Sequence, residues 1–330
     1  METRFLGRTG VRVSRLAFGT MSFGGDADAA TSAALFARCR DAGVNLFDCA
    51  DVYNGGRSEE LLGRLIGPCR DEVILTTKAY FPTAADPNAR GSSRYHLVRA
   101  VEASLRRLGT DRIDLFFLHR HDDRTDPEET LRAVDDLVRQ GKILYVGASN
   151  FAAWQVAKGL GIQAQRGYSP LVAIQPMYNL FKRQAEVEIL PHAAAESLAV
   201  FPYSPLAGGI LSGKYGRDRR PDVGRLLTNT MYQVRYGDPA VYDVADRFTT
   251  LAREWGVEPA ALAIAWVASH PAVTAPLIGA RDVAQLAVCL GAATVTLSDE
   301  QRAILSALTQ TPPPATDRNE ETSAHNFGAR

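Results

Sequence analysis

The sequence predicts a closed α/β barrel of eight parallel strands, each followed by helix. Three observations carry that expectation. Eight short runs rich in apolar and β-branched residues recur along the chain, at 16–19, 44–48, 73–78, 113–119, 143–149, 171–175, 198–203 and 275–278. Most are continuously apolar, the pattern of parallel strands covered on both faces, and longer amphipathic stretches separate them. Nearly every run ends in a polar residue: Thr20, Asp48, Lys78, His119, Ser149-Asn150, Gln175 and Tyr203-Ser204. In a barrel these ends meet at one mouth, whereas in the alternative, a doubly wound open sheet, only some of them could meet.

The elements follow in order. Residues 5–6 and 11–13 flank Arg8-Thr9-Gly10 and read as a small hairpin ahead of the first barrel strand. Leu97, Val98, Val101, Leu105 and Leu108 share one helical face, with Arg94, Arg99 and Arg106 elsewhere. Asp126 suits a helix N-cap, Pro127 the first helical position and Glu129 the reciprocal arm of a capping box. Gly141 suits the stop after Leu131, Val134, Leu137 and Val138. Ser298 and Gln301 form a second capping-box pattern before Ile304, Leu305 and Leu308. Trp154, Trp255 and Trp266 fall in helical patterns and are expected to pack. Three stretches break the alternation: 79–92, 208–242 with its five arginines Arg217, Arg219, Arg220, Arg225 and Arg235, and the proline-bearing tail 311–330. The first two would be loops on the functional face of a barrel. The expectation is one domain over 1–330, with 311–330 as its tail.

Composition narrows the classes. Lys plus Arg and Asp plus Glu each number 37 in 330 residues, so the formal net charge is zero, which argues against nucleic-acid or membrane-surface binding. Apolar residues at 46% and charged ones at 22% suit a folded globular chain with an ample core. Cys39, Cys49, Cys69 and Cys289 show no C-x-x-C spacing and read as reduced thiols. With no leader-like start and no run of about 18 apolar residues, a cytoplasmic location is expected.

The chemistry is suggested by what meets at the mouth. A free tyrosine ionises near pH 10, high for a general acid at neutral pH. A neighbouring cation stabilises the phenolate, so Lys78 is expected to lower the pKa of Tyr53, with Asp48 holding Lys78 and His119 orienting a carbonyl oxygen. Singly, an aspartate at a strand end is more often a helix cap, and a lone Lys or His there a satisfied structural residue. Their convergence is what favours chemistry. Competing motifs fail on detail. Gly208 to Lys214 reads G-x-x-x-x-G-K, but Tyr215 stands where a P-loop needs Ser or Thr. No G-x-G-x-x-G occurs, and His119-Arg120-His121 has no carboxylate at ligand spacing, so no metal is expected.

Taken together these stretches resemble the aldo-keto reductase family over essentially the whole chain. Phe47-Asp48-Cys49-Ala50-Asp51-Val52-Tyr53, with Gly55, Gly56, Ser58 and Glu59, resembles its aspartate–tyrosine signature. Thr76-Thr77-Lys78 resembles its lysine strand, and the stretch from Arg107 to Leu115 leading to Leu118-His119 its histidine strand. Gly147-Ala148-Ser149-Asn150-Phe151, Gln175-Pro176 with Tyr178-Asn179, the stretch from Tyr203 to Gly208, and Gly213-Lys214-Tyr215 resemble its cofactor segments. The resemblance implies reduction of an aldehyde or ketone by direct hydride transfer from NADPH, with NADH possible, and Asp48, Tyr53, Lys78 and His119 as the catalytic set with Tyr53 as proton donor. It implies Gly19, Thr20, Met21 and Asp48 beside the cofactor, Ser149, Asn150 and Gln175 on the nicotinamide carboxamide, and Tyr203 stacked on its ring. Ser204, Leu206, Gly208, Lys214 and Arg225 would reach the phosphates, with Pro205 and Ala207 also beside the cofactor. Gly279, Arg281 and Gln285 would hold the adenosine 2′-phosphate, where a guanidinium fork suits a dianion.

One departure stands out: Val288 and Cys289 occupy positions where the family commonly has an acidic residue and an asparagine near the adenine, and neither forms such hydrogen bonds. Tyr232, Arg235 and Tyr236, with Phe81, either line a pocket for a polar, ring-bearing ketone or a keto-sugar, or pack against the barrel rim. The rival implied by resemblance is a cofactor-sensing regulatory subunit of a membrane protein, with slow turnover. The expected partner is otherwise a small-molecule carbonyl compound, with no nucleic acid or membrane, and the oligomeric state is left open.

Overall fold

The computed structural model describes residues 1–316. It opens on a hairpin of β1 (Thr3–Phe5) and β2 (Arg12–Ser14), paired antiparallel with Thr3 opposite Ser14. Eight parallel strands follow: β3 (Ala17–Gly19), β4 (Leu46–Asp48), β5 (Ile74–Ala79), β6 (Ile113–Leu118), β7 (Ile143–Ser149), β8 (Leu171–Gln175), β9 (Ala199–Val200) and β10 (Leu277–Ile278). They lie side by side in chain order, with β10 beside β3. The sheet closes where the amides of Thr274 and Ala275 donate to the Val200 carbonyl and that of Leu277 donates to Pro202. The fold is therefore the (β/α)8 barrel with an N-terminal hairpin that the alternation predicts. The seventh strand is shorter than the 198–203 run because Pro202 has no amide hydrogen for the ladder.

Each of β3 to β8 leads to a helix: α1 (Ala29–Asp41), α2 (Arg57–Ile66), α3 (Arg94–Leu108), α4 (Pro127–Arg139), α5 (Ala153–Arg166) and α6 (Ile189–Ala195). The long stretch after β9 is more ordered than its composition suggests. It holds α7 (Arg225–Thr228) and α8 (Thr230–Arg235) and runs into α9 (Ala240–Glu254) and α10 (Pro259–Ala268); α11 (Val283–Gly291) and α12 (Asp299–Ser306) come after β10. Of the tail, residues 317–330 lie outside the described residues, and 311–316 form neither helix nor strand. Among the described residues no helix is long and apolar enough to cross a membrane.

The two-residue period of a strand sorts side chains into two cores. Phe116 packs outward with the helices, among Leu97, Val101 and Val134, while its neighbour Phe117 packs inside the barrel with Leu46, Leu115, Ala173 and Phe201. Gly147 makes room for it, since a Cβ there would lie 2.4 Å from the Phe117 ring. Leu6 and Val13 of the hairpin join the inner cluster, so the hairpin plugs the end of the barrel where the strands begin. Each fully buried side chain of this kind contributes about 1.5–3 kcal/mol. The mouth at the carboxyl ends of the strands is left for function.

The caps test the helix signals. Asp126 accepts from the Glu128 amide at 2.8 Å, and Ser298 and Gln301 form both arms of their box at 3.1 and 3.0 Å. Glu129 does not close the expected box: its carboxylate accepts from the Arg94 amide at 3.1 Å, because the start of α3 lies within its reach. Trp266 is fully buried and Trp255 is half-buried against the core, but Trp154 is 62% exposed, against expectation. It stands in the first turn of α5, where the apolar face has not yet met the sheet.

Candidate active site

The strand ends deliver the expected set to one place. β4 ends on Asp48, β5 carries Lys78 on its last turn of pleat, and β6 runs directly into His119. Tyr53 arrives on the turn after β4, a tight bend in which Asn54 takes φ 51°. The Asn54 side-chain amide holds that bend by donating to the carbonyls of Met21 at 2.9 Å and Phe23 at 2.8 Å. The three protons of the Lys78 ammonium are all directed: to Asp48 Oδ2 at 2.5 Å, to the Cys49 carbonyl at 2.7 Å and to the Tyr53 hydroxyl oxygen at 3.5 Å. Asp48 Oδ1 accepts from Thr76 Oγ1 at 2.7 Å and Gln175 Nε2 at 3.0 Å. The rings of Tyr53 and His119 meet edge to face, 6.1 Å apart. Nδ1 of His119 is buried with no partner among the described residues.

The electrostatics follow from burial. Desolvation disfavours the charge on Lys78, but Asp48 and Tyr53 outweigh it and hold the lysine above its usual range, as an ammonium. Burial also pushes the Tyr53 hydroxyl up, to about 12; Lys78 pulls against that rise and Asp48 adds to it. The expected lowering by Lys78 therefore exists as one contribution but does not win, because the loss of water around the buried hydroxyl outweighs it. His119 is held well below its ordinary range by burial and then by Lys78, so its imidazole is neutral at neutral pH and offers one N–H donor.

The polar residues of the next strands join this set. Ser149 Oγ donates to the Gln175 carbonyl at 3.0 Å. Asn150, at φ 57°, donates to the His119 carbonyl at 2.9 Å and to Ser149 Oγ at 3.1 Å, and accepts from the Tyr203 hydroxyl at 2.7 Å. Thr20 lies beside Gly19 but is turned inward, its hydroxyl on the Asp48 carbonyl at 3.0 Å, while Met21 is exposed. Beyond Tyr203 the backbone takes left-handed conformations at Ser204, Ala207, Gly208 and Gly209, around Pro205 and Leu206. Asn179 pins the Ser204 carbonyl at 2.9 Å. Such turns aim backbone amides into an anion-binding concavity.

The cations sort into two kinds. Arg217 and Arg219 pair with Asp243 and Asp246, and Arg220 lies over the Tyr242 ring. Among the described residues Lys214, Arg225 and Arg281 form no ion pair, though Arg225 reaches the Tyr232 hydroxyl at 3.2 Å. Arg281 follows Gly279-Ala280 at the start of α11, where its amide contacts Gln285 Oε1 at 3.4 Å and Asp282 caps the helix. Left-handed turn, unpaired cations and the amide-bearing side chains beside Asp48, Tyr53, Lys78 and His119 fit a phosphate-bearing nicotinamide dinucleotide. Val288 is half-buried and Cys289 buried in α11; burial pushes the Cys289 thiol up to about 11.

Of the two readings for the long loop, packing is the one that holds for Tyr232 and Tyr236. Tyr232 and Tyr236 are buried, the latter with its hydroxyl accepting from Asn179 Nδ2 at 3.1 Å, so they brace the turn from Ser204 to Gly208. A Cβ on Gly208 would lie 2.7 Å from the Tyr232 ring, which shows how closely the two pack.

Asp51 carries a role that sequence reasoning missed. It is 3% exposed, and neither carboxylate oxygen has a partner among the described residues. Burial pushes it up to about 8, with Glu59 adding to the rise and Arg107 pulling against it. Folded Asp51 therefore keeps its proton to about pH 8, while the unfolded chain loses it near pH 4. The stability it lends is complete below the unfolded value and is lost as pH rises through the folded one. Asp51→Asn is expected to gain about 1–3 kcal/mol over the native chain at pH 9 and little at pH 4. Urea unfolding at the two pH values measures it, and a pH-independent difference refutes it.

The comparisons with known proteins complete the description. The profile of the Aldo/keto reductase family matches residues 15–310. A Bacillus subtilis (strain 168) protein named uncharacterized oxidoreductase YrpG is 39% identical over 316 residues, covering 91% of this chain and 93% of its own length. An Oryza sativa protein named probable voltage-gated potassium channel subunit beta is 37% identical over 294 residues, covering 87% and 89%. The versiconal hemiacetal acetate reductase of Aspergillus parasiticus is 31% identical over 335 residues, covering 91% and 95%.

Proposed function

The chain belongs to the aldo/keto reductase family, and from that premise we propose that it reduces an aldehyde or ketone to the alcohol with NADPH, Tyr53 supplying the proton. Membership makes it an oxidoreductase of a family that generally uses NAD(P)H. The observation that carries the finer reading is the Lys78 ammonium, fully buried and spanning Asp48, the Cys49 carbonyl and the Tyr53 oxygen.

When bound, the nicotinamide supplies hydride to the carbonyl carbon. Every other requirement falls on side chains. The neutral His119 N–H donates to the carbonyl oxygen and fixes it beside Tyr53. As negative charge grows on that oxygen, the Tyr53 O–H bond breaks and its proton moves across. An alkoxide is a stronger base than a phenolate even at a tyrosine pKa of about 12, so the transfer runs downhill. The phenolate left behind faces Lys78, whose place is fixed by Asp48, so little reorganisation is needed. Ser149, Asn150 and Gln175 would grip the carboxamide and Tyr203 the ring; Lys214, Arg225 and the Ser204 to Gly208 turn would take the phosphates.

Arg281 and Gln285 would hold the 2′-phosphate, which favours NADPH over NADH. Arg281→Ala is expected to raise the KM for NADPH at least about tenfold and to shrink its advantage over NADH. An unchanged ratio would move 2′-phosphate recognition elsewhere. The reading itself is tested by following NADPH consumption across a panel of aldehydes and ketones, with NADH beside it. Tight NADPH binding with no turnover on any of them would overturn it. We place the enzyme in the cytoplasm, with a small carbonyl compound as its partner.

A second reading draws on the likeness to proteins named potassium channel subunit beta. There the chain would sense cofactor on behalf of a membrane protein. The complete catalytic set favours the first reading; a stoichiometric membrane partner together with negligible turnover would favour the second.

A further inference from the structure

Two carboxylate–cation pairs flank β5, one on each face of the strand. Thr76 and Lys78 point into the barrel and meet Asp48, while Thr77 lies on the outer face with Leu75 and Ala79. There Thr77 Oγ1 donates to Glu59 Oε1 at 2.6 Å, and Glu59 Oε2 accepts from Arg107 Nε at 2.6 Å. Glu59 is fully buried in the first turn of α2; Arg107 comes from the last turn of α3 and is partly exposed. The inner pair serves Tyr53, whereas the outer pair touches no reacting group.

The outer pair nevertheless reaches Tyr53 through the backbone. Tyr53 enters a bend in which Asn54, Gly55 and Gly56 take φ 51°, 66° and 91° in succession. Such left-handed residues persist only where their surroundings hold them. Asn54 ties one flank of the bend to the carbonyls of Met21 and Phe23. Arg107 supports the other flank: a Cβ on Gly56 would lie 2.8 Å from Arg107 Cδ and 3.1 Å from its Nε. The side chain that pairs with Glu59 therefore lies against the bend, and Glu59 is fixed in turn to the strand residue just before Lys78. The contact at stake is the longest around the ammonium, from Lys78 Nζ to the Tyr53 oxygen at 3.5 Å. An outward shift of the bend by about 1 Å breaks it.

We infer that Glu59 and Arg107 are positioning residues that hold the Tyr53 hydroxyl at its distance from Lys78. The inference rests on the reductase reading of the site. Set against well-packed apolar residues, a buried ion pair is close to neutral for stability, so stability alone does not account for a carboxylate sealed beneath the bend. Geometry does: with Glu59 clasped from two sides, Arg107 has one place to lie and Gly56 one surface to rest on.

The test uses the full chain with NADPH and a panel of benzaldehyde, butanal and cyclohexanone, kcat being taken on the one reduced fastest. Arg107→Ala is expected to lower kcat about 10–10²-fold with the KM for NADPH within about twofold. Arg107→Lys keeps a stem against Gly56 and a cation for Glu59, and is expected to restore most of the loss. Glu59→Gln combined with Arg107→Met strands no charge, and is expected to show the same fall where Arg107→Ala folds poorly. The deciding readout is a cycle with Tyr53→Phe. If the pair acts through the tyrosine hydroxyl, adding Arg107→Ala to Tyr53→Phe costs the residual rate nothing further. A merely structural role would lower the rate by one factor in both backgrounds. Equal factors in an active enzyme, or a native-like kcat for folded Arg107→Ala, overturn the inference alone. A native chain that reduces none of the panel removes the reductase reading and the inference with it.

Discussion

Tyr53→Phe is expected to lower kcat for carbonyl reduction by about 10²–10⁴ while leaving cofactor affinity within about twofold. Phenylalanine keeps the ring and its edge-to-face contact with His119, so the mouth retains its shape. Only the hydroxyl is lost. Lys78 gives up its longest contact, 3.5 Å, and keeps Asp48 and the Cys49 carbonyl. No other group in reach replaces the lost acid well: His119 is neutral and gives up its remaining proton far less readily than a phenol does. The native enzyme adds a pH signature. Because folded Tyr53 ionises near 12, above its usual 10, it holds its proton across the neutral range, and its loss shows only in strong alkali. Steady-state rates from pH 6 to 10, with cofactor affinity by fluorescence titration, check both parts. A variant with near-native kcat would remove Tyr53 from the role of acid.

Much of this site was legible because a parallel strand writes its end into the sequence. Asp48, Lys78, His119, Ser149 and Gln175 each close an apolar run, and a barrel has one place where such ends meet. The hairpin, the barrel and the capping of α12 were legible for similarly local reasons. What was not legible depends on contacts between distant segments. Glu129 has the spacing of a capping box, but Arg94, 35 residues away, takes its carboxylate. Tyr232 and Tyr236 look like pocket residues because their loop is polar and arginine-rich; Asn179 and Gly208 draw them inward instead. Trp154 has helical periodicity, yet in the first turn of α5 it stays exposed. Asp51 lies three residues from Asp48 with nothing in its spacing to show that the fold would strip it of both water and partners. The net direction of Tyr53 was missed for the same reason: the sequence names the neighbouring cation but not the depth of burial.

Lys78→Met is expected to abolish most turnover and to destabilise the fold by about 3–5 kcal/mol, a combination that separates it from Tyr53→Phe. Methionine fills much of the space of the lysine stem, so lost packing is a small part of the change. The larger part is Asp48, whose buried carboxylate would keep Thr76 and Gln175 but face a thioether where an ammonium stood at 2.5 Å. In the native chain, Lys78 sits above its usual 10.5, so its contribution is present below that value and is lost only as pH rises through the higher folded one. Adding Asp48→Asn to Lys78→Met removes the stranded charge and should recover much of the stability without recovering turnover, since the phenolate of Tyr53 would still lack a cation. Urea unfolding of the single and double variants, with turnover measured on the same samples, resolves the two effects. A double variant that regained both stability and activity would mean that Lys78 serves the fold alone.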